Sequence, residues 1–182
     1  MCGIAGLIHK DKSVNIGSEL QLMLQALKHR GPDSTGFALY GQGNNQGDYI
    51  MRFKVGENVA EGSSAINEDK SVYDERKKIV DKNLSDLGAI LVKEERLTPY
   101  SFRYEIKYDK DLMEFSKKIE SAEMTEILSI GKSLELIKDI GDAKEVCDRY
   151  NLDKITGTHA IGHARMATES GVDIKSAHPF WG

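Results

Sequence analysis

The sequence predicts an α+β protein in which a glycine-rich core is interrupted by a charged α/β module. The first observation behind this is a partition of glycine and charge along the 182 residues. Residues 1–47 and 157–182 hold 12 of the 17 glycines and only 11 charged side chains, while residues 48–156 hold 5 glycines and 43 charged side chains. Glycine-rich, charge-poor segments suit buried strands and close backbone approach. A charge-rich stretch suits solvated helices and a small exposed sheet. The second observation is that apolar residues recur with period two in some segments and with helical spacing in others. The expected organisation is a core made of 1–47 and 157–182, with 48–156 inserted.

Taken in order, Ile4 to Ile8 reads as a short apolar strand. Leu20, Met23, Leu24 and Leu27 recur at helical spacing, which predicts an amphipathic helix over 17–28. Residues 30–36, RGPDSTG, read as a loop because Gly-Pro and Asp/Ser are turn formers. A strand starts at Phe37, the GQGNNQG run at 41–47 is a turn, and Tyr49 to Val55 resumes a strand. A helix follows over 69–84. A hairpin over 88–108 has Ala89 to Lys93 as one arm and Phe102, Tyr104, Ile106 and Tyr108, alternating with polar residues, as the other. A helix marked by Leu112, Phe115 and Ile119 begins near Asp109, a strand spans 127–130, and a last helix spans 142–150. There Cys147 reads as an apolar filler. GTHAIGHARMAT at 157–168 alternates as a strand, with His159, Ile161, His163 and Arg165 on one face. Thr168 lies an odd number of positions from Arg165, so the two share a pocket only if the strand ends or bends near Met166.

Composition excludes several functions. With 25 basic and 29 acidic side chains the net charge is -4, and no basic excess points to nucleic acid. No apolar run approaches the roughly 18–20 residues of a membrane span. The opening MCGIAGLIHK lacks a signal-peptide pattern. Two cysteines make neither a disulfide framework nor a zinc CxxC pair. The expectation is a cytoplasmic protein without a cofactor.

Cys2 is the sharpest chemical feature. Removal of Met1 would leave a free α-amine beside the thiol of the same residue. An α-amine titrates near 7.7–8.0 and a thiol near 8.5, so close to neutral pH the amine can take the thiol proton. Nucleophile and base then share one residue. Gly3 and Gly6 flank the apolar strand and let backbone and substrate approach. Taken alone, Cys2 is more simply an ordinary small apolar residue opening a buried strand, and the following GIAG shifts the balance.

Three blocks raise a resemblance. Met-Cys-Gly-Ile-Ala-Gly at 1–6, His-Arg-Gly-Pro-Asp-Ser-Thr-Gly at 29–36, and Gly-His-Ala-Arg-Met-Ala-Thr-Glu-Ser at 162–170 followed by Ala-His-Pro-Phe at 177–180 resemble, in order, class II glutamine amidotransferases. The form of the third block and the inserted module look most like the amidotransferase domains of glutamate-synthase-type systems. The resemblance implies a four-layer αββα N-terminal-nucleophile hydrolase sandwich, here C-terminally incomplete, and hydrolysis of glutamine to glutamate and ammonia through a Cys2 thioester. It implies a synthase domain or subunit that accepts the ammonia. It implies Arg165 on the substrate α-carboxylate, for which a guanidinium fork is suited, with Thr168 at the same end, His178 near the pocket and Arg30 supporting the terminal cysteine. Asp33 is expected to fix the loop by bonding nearby backbone amides.

Gly182 is reached before two features that the resemblance implies, the Asn-Gly pair that supplies the oxyanion hole and a later acidic residue that binds the substrate ammonium. Loss of one oxyanion-hole donor costs on the order of 100- to 1000-fold in rate. The sequence therefore leaves open a truncated, inactive amidotransferase-like subunit that docks on a synthase, or an amidase for another amide. A metal site built from His159, His163, His29, His178 and Cys2 has no supporting ligand spacing.

Overall fold

A computed structural model describes residues 2–10, 12–31, 33–41, 48–57, 69–166 and 177–181. Among them are two antiparallel four-stranded sheets and four α-helices, an α+β architecture. The chain divides into two compact units, the first holding the described residues of 2–41 and 133–181, the second those of 48–132.

The first unit is built on β1 (Gly3–Ile8), α1 (Ile16–Ala26), β2 (Ser34–Gly41), β7 (Leu134–Ile140), α4 (Ala143–Tyr150) and β8 (Gly157–Arg165). Its sheet runs β1-β8-β2-β7. Gly3 pairs with Ala164, Ser34 with Arg165, and Ser34 on its other side with Ile140. One face of this sheet receives α1. Asn15 caps that helix by accepting the Ser18 N–H at 3.0 Å. Its buried stripe is Ile16, Leu20 and Leu24. Small residues on the sheet admit the stripe: a Cβ at Gly162 would meet the Leu24 side chain at 2.5 Å. Phe37 and Leu39, both fully buried, lie on that face. Lys28–Arg30 forms a single 3-10 turn after α1.

The second unit contains β3 (Tyr49–Lys54), α2 (Lys70–Asp86), β4 (Ile90–Arg96), β5 (Ser101–Lys107), α3 (Leu112–Glu120) and β6 (Glu126–Gly131), with strand order β4-β5-β3-β6. Asp69 and Asp111 cap the two helices. Its core is aromatic: Phe53 stacks on Phe102 at 5.3 Å and meets Tyr104 edge-on at 4.9 Å. The Tyr104 hydroxyl donates to Asp81 at 2.7 Å, and burial followed by that carboxylate pushes the phenol far above its usual range. Lys54, nearly fully buried, pairs with Glu57 and Glu126 at 3.1 and 3.0 Å.

The second unit is shorter than the 48–156 expected for the insertion. β7 and α4 belong to the first unit: β7 pairs with β2 along seven positions, and α4 packs against α1. The physical reason is that the charges of β7, Glu135, Lys138 and Asp139, are buried rather than solvated, while Lys144, Glu145 and Asp148 of α4 stay exposed. Asp139 is fully buried and accepts from Arg149 Nη1 at 2.8 Å and from the Tyr150 hydroxyl at 3.0 Å. A count of charged side chains cannot tell a satisfied buried carboxylate from an exposed one. β2 also begins at Ser34 rather than Phe37. The 41–47 turn lies outside the described residues except for Gly41, which closes β2.

Candidate functional site

The site predicted from the three sequence blocks falls at one end of the first unit's sheet. β8 stops at Arg165, as sharing a pocket with Thr168 requires, although Thr168 lies outside the described residues. Arg165 is half-buried and sits opposite Ser34 of β2. On its other side the β1–β8 register ends at Gly3 and Ala164. Continued by one residue, that register brings Cys2 level with Arg165. Strand alternation turns Arg165 and Ser34 to the same face, and Cys2 is the residue before β1 at that end. Cys2 is exposed and its thiol is free.

The loop between α1 and β2 closes against this end. Gly31 is required there: a Cβ would lie 2.4 Å from the carbonyl carbon of Arg165 and 2.7 Å from that of Ala164. Asp33 donates its N–H to the Arg165 carbonyl at 3.1 Å, and its own carbonyl accepts from Gly141 at 3.0 Å. Asp33 thus ties the end of β8 to the turn before α4 through its backbone. Arg30 is exposed at the end of the 3-10 turn, one residue before Gly31.

The next row of the same face, reading across the sheet, is Ile4, His163, Gly36 and Lys138. Gly36 is where the His178–Pro179 segment crosses: a Cβ there would lie 1.9 Å from the His178 carbonyl oxygen and 2.8 Å from Pro179 Cδ. His178 is exposed, and its ring meets the His163 ring edge-on at 5.0 Å. His163 is buried and its Nδ1 has no partner, as is true of the fully buried Ser34 Oγ. Burial, then His178 and Arg165, holds the His163 imidazole below its ordinary pKa. His163 is therefore a neutral, buried ring one row from Arg165.

Arg165 and the His178 segment thus lie on one face at one end of the sheet, Cys2 immediately precedes the strand that ends there, and Arg30 adjoins the loop that packs on Arg165. Sequence reading set His163 aside as a remote metal ligand and did not select Ser34. The available signal was the i, i+2 spacing of His163 and Arg165 on one strand face. Ser34 needed the cross-strand register. Two other histidines have separate partners: His159 stacks on Tyr40 at 4.1 Å and His9 pairs with Glu19 at 2.6 Å, while His29 is exposed in the 3-10 turn. Among the described residues no cluster of His, Cys, Asp and Glu could hold a metal ion. Cys147 is buried, and burial raises its thiol pKa, so it is a poor nucleophile.

Comparison with known proteins gives relatives of one kind. The chain is 37% identical, over 99% of its length, to a protein of Methanothermobacter thermautotrophicus described as a putative glutamine amidotransferase, covering 56% of that protein. It is 29% identical, over 99% of its length, to the glutamine amidotransferase-like protein GlxB of Rhizobium meliloti, covering 54% of it. A shorter match, 36% identical over 55 residues, joins 30% of the chain to 9% of a glutamine–fructose-6-phosphate aminotransferase of Methanococcus maripaludis. No family model matches. These relatives support a glutamine amidotransferase family, and the chain spans about half the length of the first two. No described helix is long and apolar enough to cross a membrane.

Proposed function

We propose that this chain forms part of a class II glutamine amidotransferase and contributes its glutaminase nucleophile. In this reading Met1 is removed and Cys2 becomes the first residue. Its α-amine, directly or through a water, takes the thiol proton. The thiolate attacks the side-chain amide carbon of glutamine and the C–N bond breaks. The same proton goes to the departing nitrogen, which leaves as ammonia. Water then cleaves the glutamyl thioester to glutamate and restores the thiol. Arg165 holds the substrate α-carboxylate in a bidentate pair, Thr168 adds a hydroxyl at the same end, His178 borders the pocket and Arg30 supports the terminal residue. The sheet β1-β8-β2-β7 would be one of the two central layers of an αββα sandwich. Ammonia would pass to a glutamate-synthase-like partner.

What supports the reading best is the register that ends at Gly3–Ala164 beside Ser34–Arg165, because Cys2 is the residue just before the strand that ends next to Arg165. The relatives' names support glutamine as the substrate.

Replacing Cys2 is the direct test. Cys2→Ala in the intact protein should abolish glutamine hydrolysis, and hydrolysis at the parental rate by that variant would end the proposal. Arg165→Lys keeps the charge but loses the planar fork, and should raise KM for glutamine about tenfold or more. The electrophile diazo-oxo-norleucine should add its mass to Cys2 and leave the buried Cys147 unmodified. A protein that binds a synthase but shows neither hydrolysis nor labelling would instead be the docking subunit.

A further inference from the structure

A buried lysine stands at the far end of the row that carries His163. Lys138 lies on β7, 4% exposed, opposite Gly36. Its ammonium sits over the ring of Phe180, 4.9 Å from the centroid. Phe180 in turn meets His178 edge-on at 4.7 Å, and His178 meets His163 at 5.0 Å. One continuous series of contacts therefore runs from Lys138 through Phe180 and His178 to His163. It crosses β2 at Gly36, where the absence of a side chain lets the 178–179 backbone lie on the sheet.

The energetics favour a specific role for the cation. Phe180 is largely exposed at 59%, so burial alone holds its ring weakly. A cation beneath an aromatic face is attracted by the ring quadrupole, most strongly when the cation is desolvated. The ammonium comes from strand β7 and the ring from the 177–181 segment, which bends at His178. Fixing the ring fixes the residue two positions earlier, and that residue is His178.

We infer that Lys138 is a positioning residue for the glutamine site: by holding Phe180 it sets where His178 stands against His163. This rests on the functional reading given above. Lys138 does not touch the substrate in this account. It acts through Phe180 on one wall of the pocket.

The experiment reads histidine imidazole NMR signals and glutamine kinetics in the intact protein. Lys138→Met should displace the His178 and His163 ring resonances, and Lys138→Arg, which keeps a cation beneath the ring, should restore them. Phe180→Ala removes the same contact from an exposed position, so it tests the inference even if Lys138→Met fails to fold, and because the lost ring also removes its own ring-current shift at His178, the His163 signal is the deciding one. It should give the same displacement, and adding Lys138→Met to it should add little more. In kinetics both variants should raise KM for glutamine roughly threefold to tenfold, the range that loss of one cation–π contact supports, with kcat within about twofold. An unmoved His163 signal in a folded Phe180→Ala protein would overturn the inference. If Cys2→Ala shows that the glutaminase reading is wrong, the NMR comparison still decides what Lys138 does.

Discussion

Arg165 is held by backbone on both sides. Asp33 bonds its carbonyl, Gly31 packs against it, and Ser34 lies across the ladder. A main chain held this way fixes the point from which the Arg165 side chain extends. His163, two residues back on the same face, has a pH consequence of its own. Burial first, then the charges of His178 and Arg165, lowers its pKa from the ordinary 6.5. The unfolded chain therefore takes up this proton before the folded one does. Its contribution to stability is complete above about pH 6.5 and is lost as the pH falls from there through the folded pKa. Urea midpoints for the parent and His163→Gln, measured at pH 7.5 and 5.5, should show a smaller loss on acidification in the variant. Equal losses would mean that His163 is not kept neutral by the fold. Cys2, Arg30, Arg165 and His178 were singled out in the sequence because short blocks carry their proposed chemistry. Ser34 was not, because only the cross-strand register sets it opposite Arg165, and for His163 the spacing showed its face but not its burial or its contact with His178.

The helices were legible where apolar spacing was regular, and α1, α2, α3 and α4 lie near their expected positions. β7 was missed for the opposite reason. LELIKDI mixes three charges into an apolar run, and Glu135, Lys138 and Asp139 are all buried. The strand is intelligible only once Asp139 is seen bonded by Arg149 and Tyr150 of the helix that follows it. That helix starts at Asp142, whose carboxylate accepts the N–H groups of Lys144 and Glu145 at 2.9 and 3.0 Å, while Glu145 returns a bond to the Asp142 N–H at 2.9 Å. This is a reciprocal capping box. Asp142→Ala should cost about 1 kcal/mol in chemical denaturation, since the cap supplies most of it and the largely exposed Lys28 adds little. Burial works against ionisation of Asp142, but Lys28, the Glu145 amide and Gln25 outweigh it and hold the carboxyl below its usual range. The carboxylate's contribution is thus present above about pH 4 and is lost as the pH falls through the folded pKa. The difference between parent and Asp142→Ala should narrow between pH 5 and pH 2. A constant difference would show that the uncharged cap does the same work.

Each of the two units has its own hydrogen-bonded sheet and its own set of fully buried large side chains. Ile16, Leu20, Leu24, Phe37 and Leu39 fill the first, and Met51, Phe53, Phe102, Tyr104, Phe115 and Ile119 fill the second. Because burial energy is local to the atoms removed from water, damage to one core should be felt first by the amides of its own sheet. Phe53 touches Phe102 and Tyr104 and is itself fully buried. Phe53→Ala should therefore cost the second unit about 3–5 kcal/mol. Native-state hydrogen exchange should then show accelerated exchange in β3 and β5, while the amides of β2 and β8, which frame Arg165 and His163, keep their parental protection. A matched loss of protection in all four strands would mean that the two cores unfold as one. The same variant separates folding of the module from chemistry. If glutamine hydrolysis depends only on the first unit's sheet, a protein with a loosened second core should keep its KM for glutamine within about twofold at a temperature where β2 and β8 remain protected.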